Sequence, residues 1–462
     1  MKLRNLSLAI SLLVLAVLTQ CSQPKQNEAE KKRPNILFLL ADDLGYNELG
    51  VYGQKVLKTP VLDSLASVGM RFTNFYAGSP VCSPSRAVIL TGKHSAVNTI
   101  RGNEGYFESG HRRVALRKDE ITLPEMLKKG GYQTAFVGKW HLGDPDDVST
   151  WAHGRGFDYA VQEQWSGKQG KMNFDGPMEY VNGMQDSIYF DWTQWQCMDE
   201  YRTSVAIDYL DKQYNPEKPL FLFMSYRAPH GHEKVIGNKT LYADRDWPED
   251  ERRHAAKVTL LDQQIGKLLK KLDEMGELEN TLVLFTSDNG PHHEIGHDHE
   301  FFDSNGELKG FKRDLYEGGV RVPFIAYWPG KIEQGSINDF IGSSQDFMPT
   351  FAEVAGVETP EQADGISLLP VFDRQTPDRE FLNWEFFKGG RGFRQSVRIG
   401  HLKGVRYGLK SPFELYDLSS DIQEENNIAD QNPEVVLRME KLMLDRHEDT
   451  PGYPYGGIDF RN

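Results

Sequence analysis

Cysteine is scarce in this sequence, with three in 462 residues, at positions 21, 82 and 197. One possible bridge cannot staple a chain of this length, so a disulfide scaffold is excluded and stability must come from a large core. Positive charge is also short: 53 Lys and Arg face 67 Asp and Glu, for a net charge of −14. No basic stripe is present, which excludes a nucleic-acid partner. A locally positive site for an anionic ligand stays compatible with an acidic surface. The apolar stretch Leu8 to Leu18 is too short to span a bilayer. No internal repeat is visible.

What is present begins with an address. Lys2 and Arg4 precede that apolar stretch, which ends in Leu18-Thr19-Gln20-Cys21. This is a signal peptide over residues 1–21. Its end resembles a bacterial lipoprotein signal, although Gln20 stands where a small residue is usual. Plain signal-peptidase cleavage is the competing reading. Residues 22–33 are polar and charged and read as a flexible tether. The expected location is the periplasm, or the cell envelope through a lipid anchor on Cys21.

The folded part opens with Ile36 to Ala41, a continuous apolar run of the kind that forms a strand buried on both faces. Asp42 and Asp43 follow at its C-terminal end, the edge where open α/β sheets bind ligands. Adjacent carboxylates repel unless a cation lies between them, and oxygen ligands favour calcium or magnesium over zinc. Three more buried strands end in polar groups. Tyr132 to Val137 runs into Lys139 and His141, which share a face if the backbone stays extended. Leu220 to Tyr226 delivers His230. Leu282 to Thr286 ends at Asp288 and Asn289, two further oxygen ligands. Lys309 to Arg313 adds a basic cluster that includes Lys312. Arg71 to Tyr76 reads as one strand, Trp151 to Glu200 as a long loop region with short elements, and Glu251 to Glu274 as a long helix. Trp192 and Trp195 have the shape to stack on a sugar, though core packing is the commoner fate of such residues. Beyond the proline-rich turns near residue 370, short alternating strands and a helix over 433–447 form a smaller α+β domain. The domain division is therefore 34–370 and 371–462.

Cys82-Ser83-Pro84-Ser85-Arg86 holds a thiol, two hydroxyls and a guanidinium within five residues. Pro84 and the apolar run after Arg86 read as a helix, so Cys82 stands at its N-terminus, where an anion is favoured. A thiolate or an anionic substrate fits there. His293-Glu294-Ile295-Gly296-His297 matches the H-E-x-x-H zinc pattern, which requires a helix. Its setting after Asn289-Gly290-Pro291 is that of a loop beside the site, so a loop touching substrate is expected instead.

Two stretches carry a family resemblance. Cys82-x-Pro84-Ser85-Arg86-x4-Thr91-Gly92 resembles the first sulfatase signature. Gly131-Tyr132-x-Thr134-x3-Gly138-Lys139-Trp140-His141-Leu142-Gly143 resembles the second. The resemblance runs from Asn35 to the Leu415-Tyr416-Asp417-Leu418 segment. It implies the alkaline phosphatase fold: an α/β architecture with a large mixed sheet sandwiched by helices, plus a smaller C-terminal α+β domain of antiparallel sheet and helix. It implies that a separate maturation enzyme oxidises Cys82 to Cα-formylglycine. It implies one calcium ion held by Asp42, Asp43, Asp288, Asn289 and the modified Cys82. Arg86 and Lys139 would hold the aldehyde hydrate, and His141 would take the proton when sulfate leaves. His230 and Lys312 would contact the sulfate. One hydroxyl of the hydrate attacks sulfur to give a sulfoenzyme, and the other collapses to the aldehyde and ejects sulfate.

The expected activity is sulfate-ester hydrolysis, exo-acting on galactose- or N-acetylgalactosamine-type sugars. His94, Arg101, Asn103 and His299 are the expected sugar contacts. Two alternatives remain: a phosphodiesterase or phosphonate hydrolase of the same superfamily, and an unmatured glycan-binding surface lipoprotein. The reading of the N-terminus has its own check. Expressed in a bacterial host with labelled palmitate, the chain should incorporate label, and Cys21→Ser should abolish it.

Overall fold

The computed structural model describes residues 33–163, 178–184, 187–189, 194–232, 241–389 and 392–458. The targeting segment, the tether up to residue 32 and Trp192 lie outside them. No helix among the described residues is long and apolar enough to cross a membrane.

Alternate side chains of an extended strand point to opposite faces, and in Ile36 to Ala41 both sets are apolar. The resulting strand β1 (Asn35–Asp42) is buried at every position. Three further strands carry the other polar ends: β2 (Gln133–Lys139), β3 (Leu220–Pro229) and β4 (Thr281–Ser287). β1 pairs in parallel with β3 on one side and β4 on the other. β2 lies parallel beyond β3, and Tyr159–Glu163 parallel beyond β2. These five strands are the middle of a ten-stranded mixed sheet whose edges are mostly antiparallel. Their parallel direction brings all their C-terminal ends to one edge of the sheet, where the site is built.

Both faces of the sheet are covered. Phe38 and Leu40 join Phe347 and Phe351 of helix Phe347–Ala355 on one face. Leu37, Leu39 and Ala41 join Leu261, Ile265 and Leu268 of helix Glu249–Glu274 on the other. The C-terminal part is a four-stranded antiparallel sheet over Leu382–Lys388, Gly392–Ile399, Leu402–Arg406 and Glu414–Asp417. Helix Pro433–Asp445 packs on it through Met439 and Met443. The expected architecture is thus the one observed. The described residues from Pro34 on form one compact unit. The first strand of the small sheet reaches the rest directly. The Trp384 indole donates to the Ala77 carbonyl at 2.9 Å, and Phe386 packs on Cys82.

One reading of local structure needs correction. Arg71 to Tyr76 is not one strand. Met70–Phe72 belongs to the large sheet, while Phe75–Tyr76 pairs with Gly342–Ser343. The break falls at Thr73, whose carbonyl accepts from Arg321 and Tyr46, and at Asn74, which donates to the Asp339 carbonyl. The stretch 151–200 carries short elements, as expected. Tyr159–Glu163 extends the parallel sheet, and Met198 starts a helix to Lys212. Periodicity missed the strand because its polar end is buried: Glu163 pairs with Arg202 and Arg227.

The packing under the site depends on aromatic edge contacts. The Phe38 ring centroid lies 4.9 Å from Phe223, 4.8 Å from Phe347 and 6.0 Å from Phe351. Phe38→Ala should cost about 3–5 kcal/mol of unfolding free energy, read from the shift of the urea midpoint at unchanged slope.

Candidate active site

Asp42 and Asp43 are adjacent and fully buried. In a straight strand their carboxylates would face opposite ways. Asp43 instead adopts a left-handed conformation, φ 66°, which turns its side chain toward the side Asp42 faces. Asp288 follows β4 directly, and its Oδ1 accepts the Asp43 backbone N–H at 3.1 Å. One oxygen from each of Asp42, Asp43 and Asp288 lies within 4.8 Å of the others. Asn289 donates Nδ2 to Asp43 Oδ1 at 2.8 Å. Asp42 Oδ1 and Asn289 Oδ1 are buried without a hydrogen-bond partner among the described residues. An orphaned buried carboxylate oxygen and an orphaned amide oxygen, on two residues that both adjoin Asp43, fit a hard cation. Burial, with Asp42 nearby, pushes Asp288 up to about 7, and burial lifts Asp43 as well. Asp42 stays below the usual carboxylate range because Lys139, Arg86 and Lys312 together outweigh its burial.

Each acid has its own cation. Lys139 Nζ is 2.6 Å from Asp42 Oδ2, Lys312 Nζ 2.7 Å from Asp43 Oδ2, and Arg86 Nη2 2.8 Å from Asp288 Oδ2. Arg86 also donates Nη1 to the Lys139 carbonyl at 2.6 Å, which joins the helix to the end of β2. Gly138 makes that junction possible. Its φ is 124°, and a Cβ there would lie 1.9 Å from the Ser225 carbonyl oxygen. The strand ends at Lys139, and His141 is left-handed with φ 59°. Lys139 and His141 therefore share the site through a turn, and not through the strand alternation expected from sequence.

Helix Cys82–Thr91 begins at Cys82, and all ten of its residues are buried. Cys82 Sγ is 3.9 Å from Asp43 Oδ1. Burial drives the thiol well above the ordinary cysteine range, with Asp42 and Asp43 adding to it. A thiolate nucleophile is thus disfavoured. Among the described residues, Cys82 and Cys197 are in no disulfide. Two imidazoles complete the centre. Burial, reinforced by Arg113, holds His141 well below its usual value, and burial with Lys312 does the same to His230. Both are neutral bases. His230 Nε2 lies 3.7 Å from Asp43 Oδ2.

These groups open into a cavity of about 430 Å³ lined by Cys82, Lys139, His141, His230 and Lys312. Of the four expected sugar contacts, Asn103 alone lines it. It also accepts the Ser83 backbone N–H at 3.3 Å. Arg101 is placed elsewhere, fully buried, with Nη1 on Glu385 at 2.6 Å and Nη2 on the Glu448 carbonyl. His94 faces Asp364 in a separate cavity. His299 lies in a turn outside the lining. Glu294 and Ile295 of the loop expected to touch substrate line the cavity, and so do Arg113, His232 and Arg313, which were not expected. His232 alternates with His230 in sequence, a spacing that pointed to it; Arg113 lies in a loop with no local signal. The 293–297 segment is a turn and not a helix, as expected, and its two histidines diverge. Trp195 packs on Tyr201.

The ion pairs differ in depth, which sets their worth. Arg86→Ala leaves Asp288 buried beside two other acids and should cost about 3–5 kcal/mol. Arg313→Ala breaks a pair at the half-exposed rim, with Glu294, and should cost under about 1 kcal/mol. Chemical denaturation of both variants checks the contrast.

The sulfatase family model matches residues 34–357, and a model for the N-sulphoglucosamine sulphohydrolase C-terminal region matches 298–449. An N-acetylgalactosamine-6-sulfatase from Mus musculus is 32% identical over 430 residues, covering 86% of this chain and 76% of the relative. An N-acetylglucosamine-6-O-sulfatase from Bacteroides thetaiotaomicron is 28% identical, covering 95% of this chain and 91% of its own. A solved structure, Ps i-CgsB in complex with k-i-k-neocarrahexaose, superposes with a TM-score of 0.79 at 25% identity, over 92% of this chain and 96% of that one. The match covers both signature stretches and every strand that feeds the cavity, so the chain belongs to the sulfatase family, of the alkaline phosphatase superfamily, and is a sulfuric ester hydrolase.

Proposed function

We propose that this sulfatase removes a sulfate ester from the end of a sulfated glycan fragment, at a galactose- or N-acetylgalactosamine-type sugar. The observation that carries the reading is the buried pairing of Asp42, Asp43 and Asp288 with Lys139, Lys312 and Arg86, directly beneath Cys82. Three carboxylates and three cations sum to zero (3 − 3) while His141 and His230 are neutral. A divalent cation added to that set leaves a surplus of two positive charges in a dry site. This is the field that an anionic ester and its transition state need.

Asp42, Asp43, Asp288 and Asn289 would hold calcium, with the group at position 82 beside them. Calcium supplies positive charge against the sulfate oxygens. Cα-formylglycine, formed from Cys82 by a maturation enzyme, would as its hydrate supply two hydroxyls on one carbon, a nucleophile and a means of releasing sulfate. The surrounding residues do the rest. Lys139 and Arg86 anchor the acids and orient position 82. His141, neutral and buried, accepts the proton of the departing step. Lys312 stays charged, because Asp43 and Glu294 outweigh its burial, and with His230 it faces the leaving oxygen. The cavity is of a size for one sugar ring with its sulfate, which favours exo action. The relatives named above act on N-acetylgalactosamine and N-acetylglucosamine 6-sulfates, which supports a 6-sulfated sugar.

Peptide mass spectrometry across Cys82 in active protein, joined to a screen of defined sulfated saccharides and a phosphate diester, tests the reading. We expect the aldehyde at residue 82, sulfate release from a terminal 6-sulfated galactose-type sugar, and loss of activity on chelation that calcium restores. Cys82→Ala should lower kcat/KM about a thousandfold or more. An intact thiol in fully active enzyme would sink the mechanism, and turnover of the diester alone would move the chain to the phosphodiesterase reading.

A further inference from the structure

The turn that carries Glu294 of the cavity lining holds a second cluster that the reaction does not use. In the turn 291–299, His297 points inward: its Nδ1 meets Glu251 Oε2 at 2.6 Å and its ring stacks on His254 at 3.6 Å. His293 takes other partners. Its Nδ1 is 3.4 Å from His299 Nδ1 and 3.3 Å from Asp298 Oδ1, and His299 Nδ1 is 3.6 Å from the same oxygen. Three ligand atoms thus form a nearly equilateral triangle. Tetrahedral zinc, with bonds of about 2.0–2.2 Å to nitrogen and oxygen, sets its ligands roughly 3.3–3.6 Å apart. A direct imidazole–imidazole hydrogen bond would be poor at this separation.

We propose that His293, Asp298 and His299 form a zinc-class transition-metal site that braces the cavity rim, distinct from the oxygen-rich centre and independent of the catalytic reading. The two rings are inclined at 72°, so their nitrogens can converge on one ion, which stacked rings cannot do. The ligands are already held. Asp298 Oδ1 accepts the Glu300 N–H at 3.0 Å, the Asp298 N–H donates to Glu251 Oε1 at 2.8 Å, and Phe311 backs the His299 ring at 4.7 Å. His293 and Asp298 are about half exposed, at 51% and 49%, which leaves an entry path and a fourth position for water. Two imidazoles with one carboxylate select zinc over calcium. The ion would close the turn that carries Glu294, whose carboxylate bridges Lys312 at 3.1 Å and Arg313 at 2.6 Å. The H-E-x-x-H motif is therefore not the metal pattern; the spacing that converges is His293-x4-Asp298-His299.

The test is cobalt titration of the full chain, stripped of metal and then kept in excess calcium to fill the oxygen-rich centre. One equivalent of Co2+ should develop the visible absorption of a tetrahedral nitrogen–oxygen site, and Zn2+ should displace it. His293→Ala and His299→Ala should each weaken binding by at least about tenfold at an unchanged denaturation midpoint. His401→Ala, an exposed histidine elsewhere, should bind as the parent does. Absence of the cobalt spectrum, equal binding by His293→Ala, or equal weakening by His401→Ala would overturn the proposal.

Discussion

Everything at the centre depends on keeping three carboxylates charged in a place that water does not reach. Each of Asp42, Asp43 and Asp288 is fully buried. Desolvation alone would neutralise them, as the upward pull on Asp43 and Asp288 records. The fold answers with one cation per acid, each drawn from a different part of the chain: the end of β2, the helix that starts at Cys82, and the loop after residue 309. None of these pairs is local. The site can therefore exist only in the assembled sheet, and assembly of the sheet fixes the field of the site.

The same logic explains the position of Cys82. Its helix is buried at every position, and Cys82 at its start packs on Phe386 of the first strand of the small sheet. The thiol is thus delivered to the acids without solvent contact. A buried thiol beside carboxylates is a poor nucleophile. The chemistry of the family accommodates this, because the resemblance assigns the reactive oxygen to a modified residue. The neighbouring neutral imidazoles suit proton acceptance, and the retained charge on Lys312 suits contact with an oxyanion.

The rim follows different rules. Glu294, Arg313 and His293 are partly exposed, and their pairings are individually weak. Substrate selectivity belongs on such a surface, since loops can vary without disturbing the buried charges. Arg101 shows the contrast. From sequence it was a plausible sugar contact, yet its guanidinium ties Glu385 to the Glu448 carbonyl inside the protein. A lone basic residue in a loop carries no mark of whether it faces in or out.

What the chain states by itself is the part that depends on short-range pattern. The apolar runs ending in Asp42, Lys139, His230 and Asp288 identify buried parallel strands, and polar groups at their C-terminal ends identify a ligand edge. The Cys82 to Gly92 and Gly131 to Gly143 stretches identify the family. The strand at Tyr159–Glu163 was not legible, because its charged end is satisfied by arginines about 40 and 60 residues away. Which histidines of the 292–299 turn face the core and which face one another was not legible either. Motif spacing assumed a helix, whereas the turn sends His297 to Glu251 and leaves His293 with His299. Tertiary structure alone decided these points, since a side chain's direction on a loop follows from the partners that surround it and not from its own neighbours in sequence.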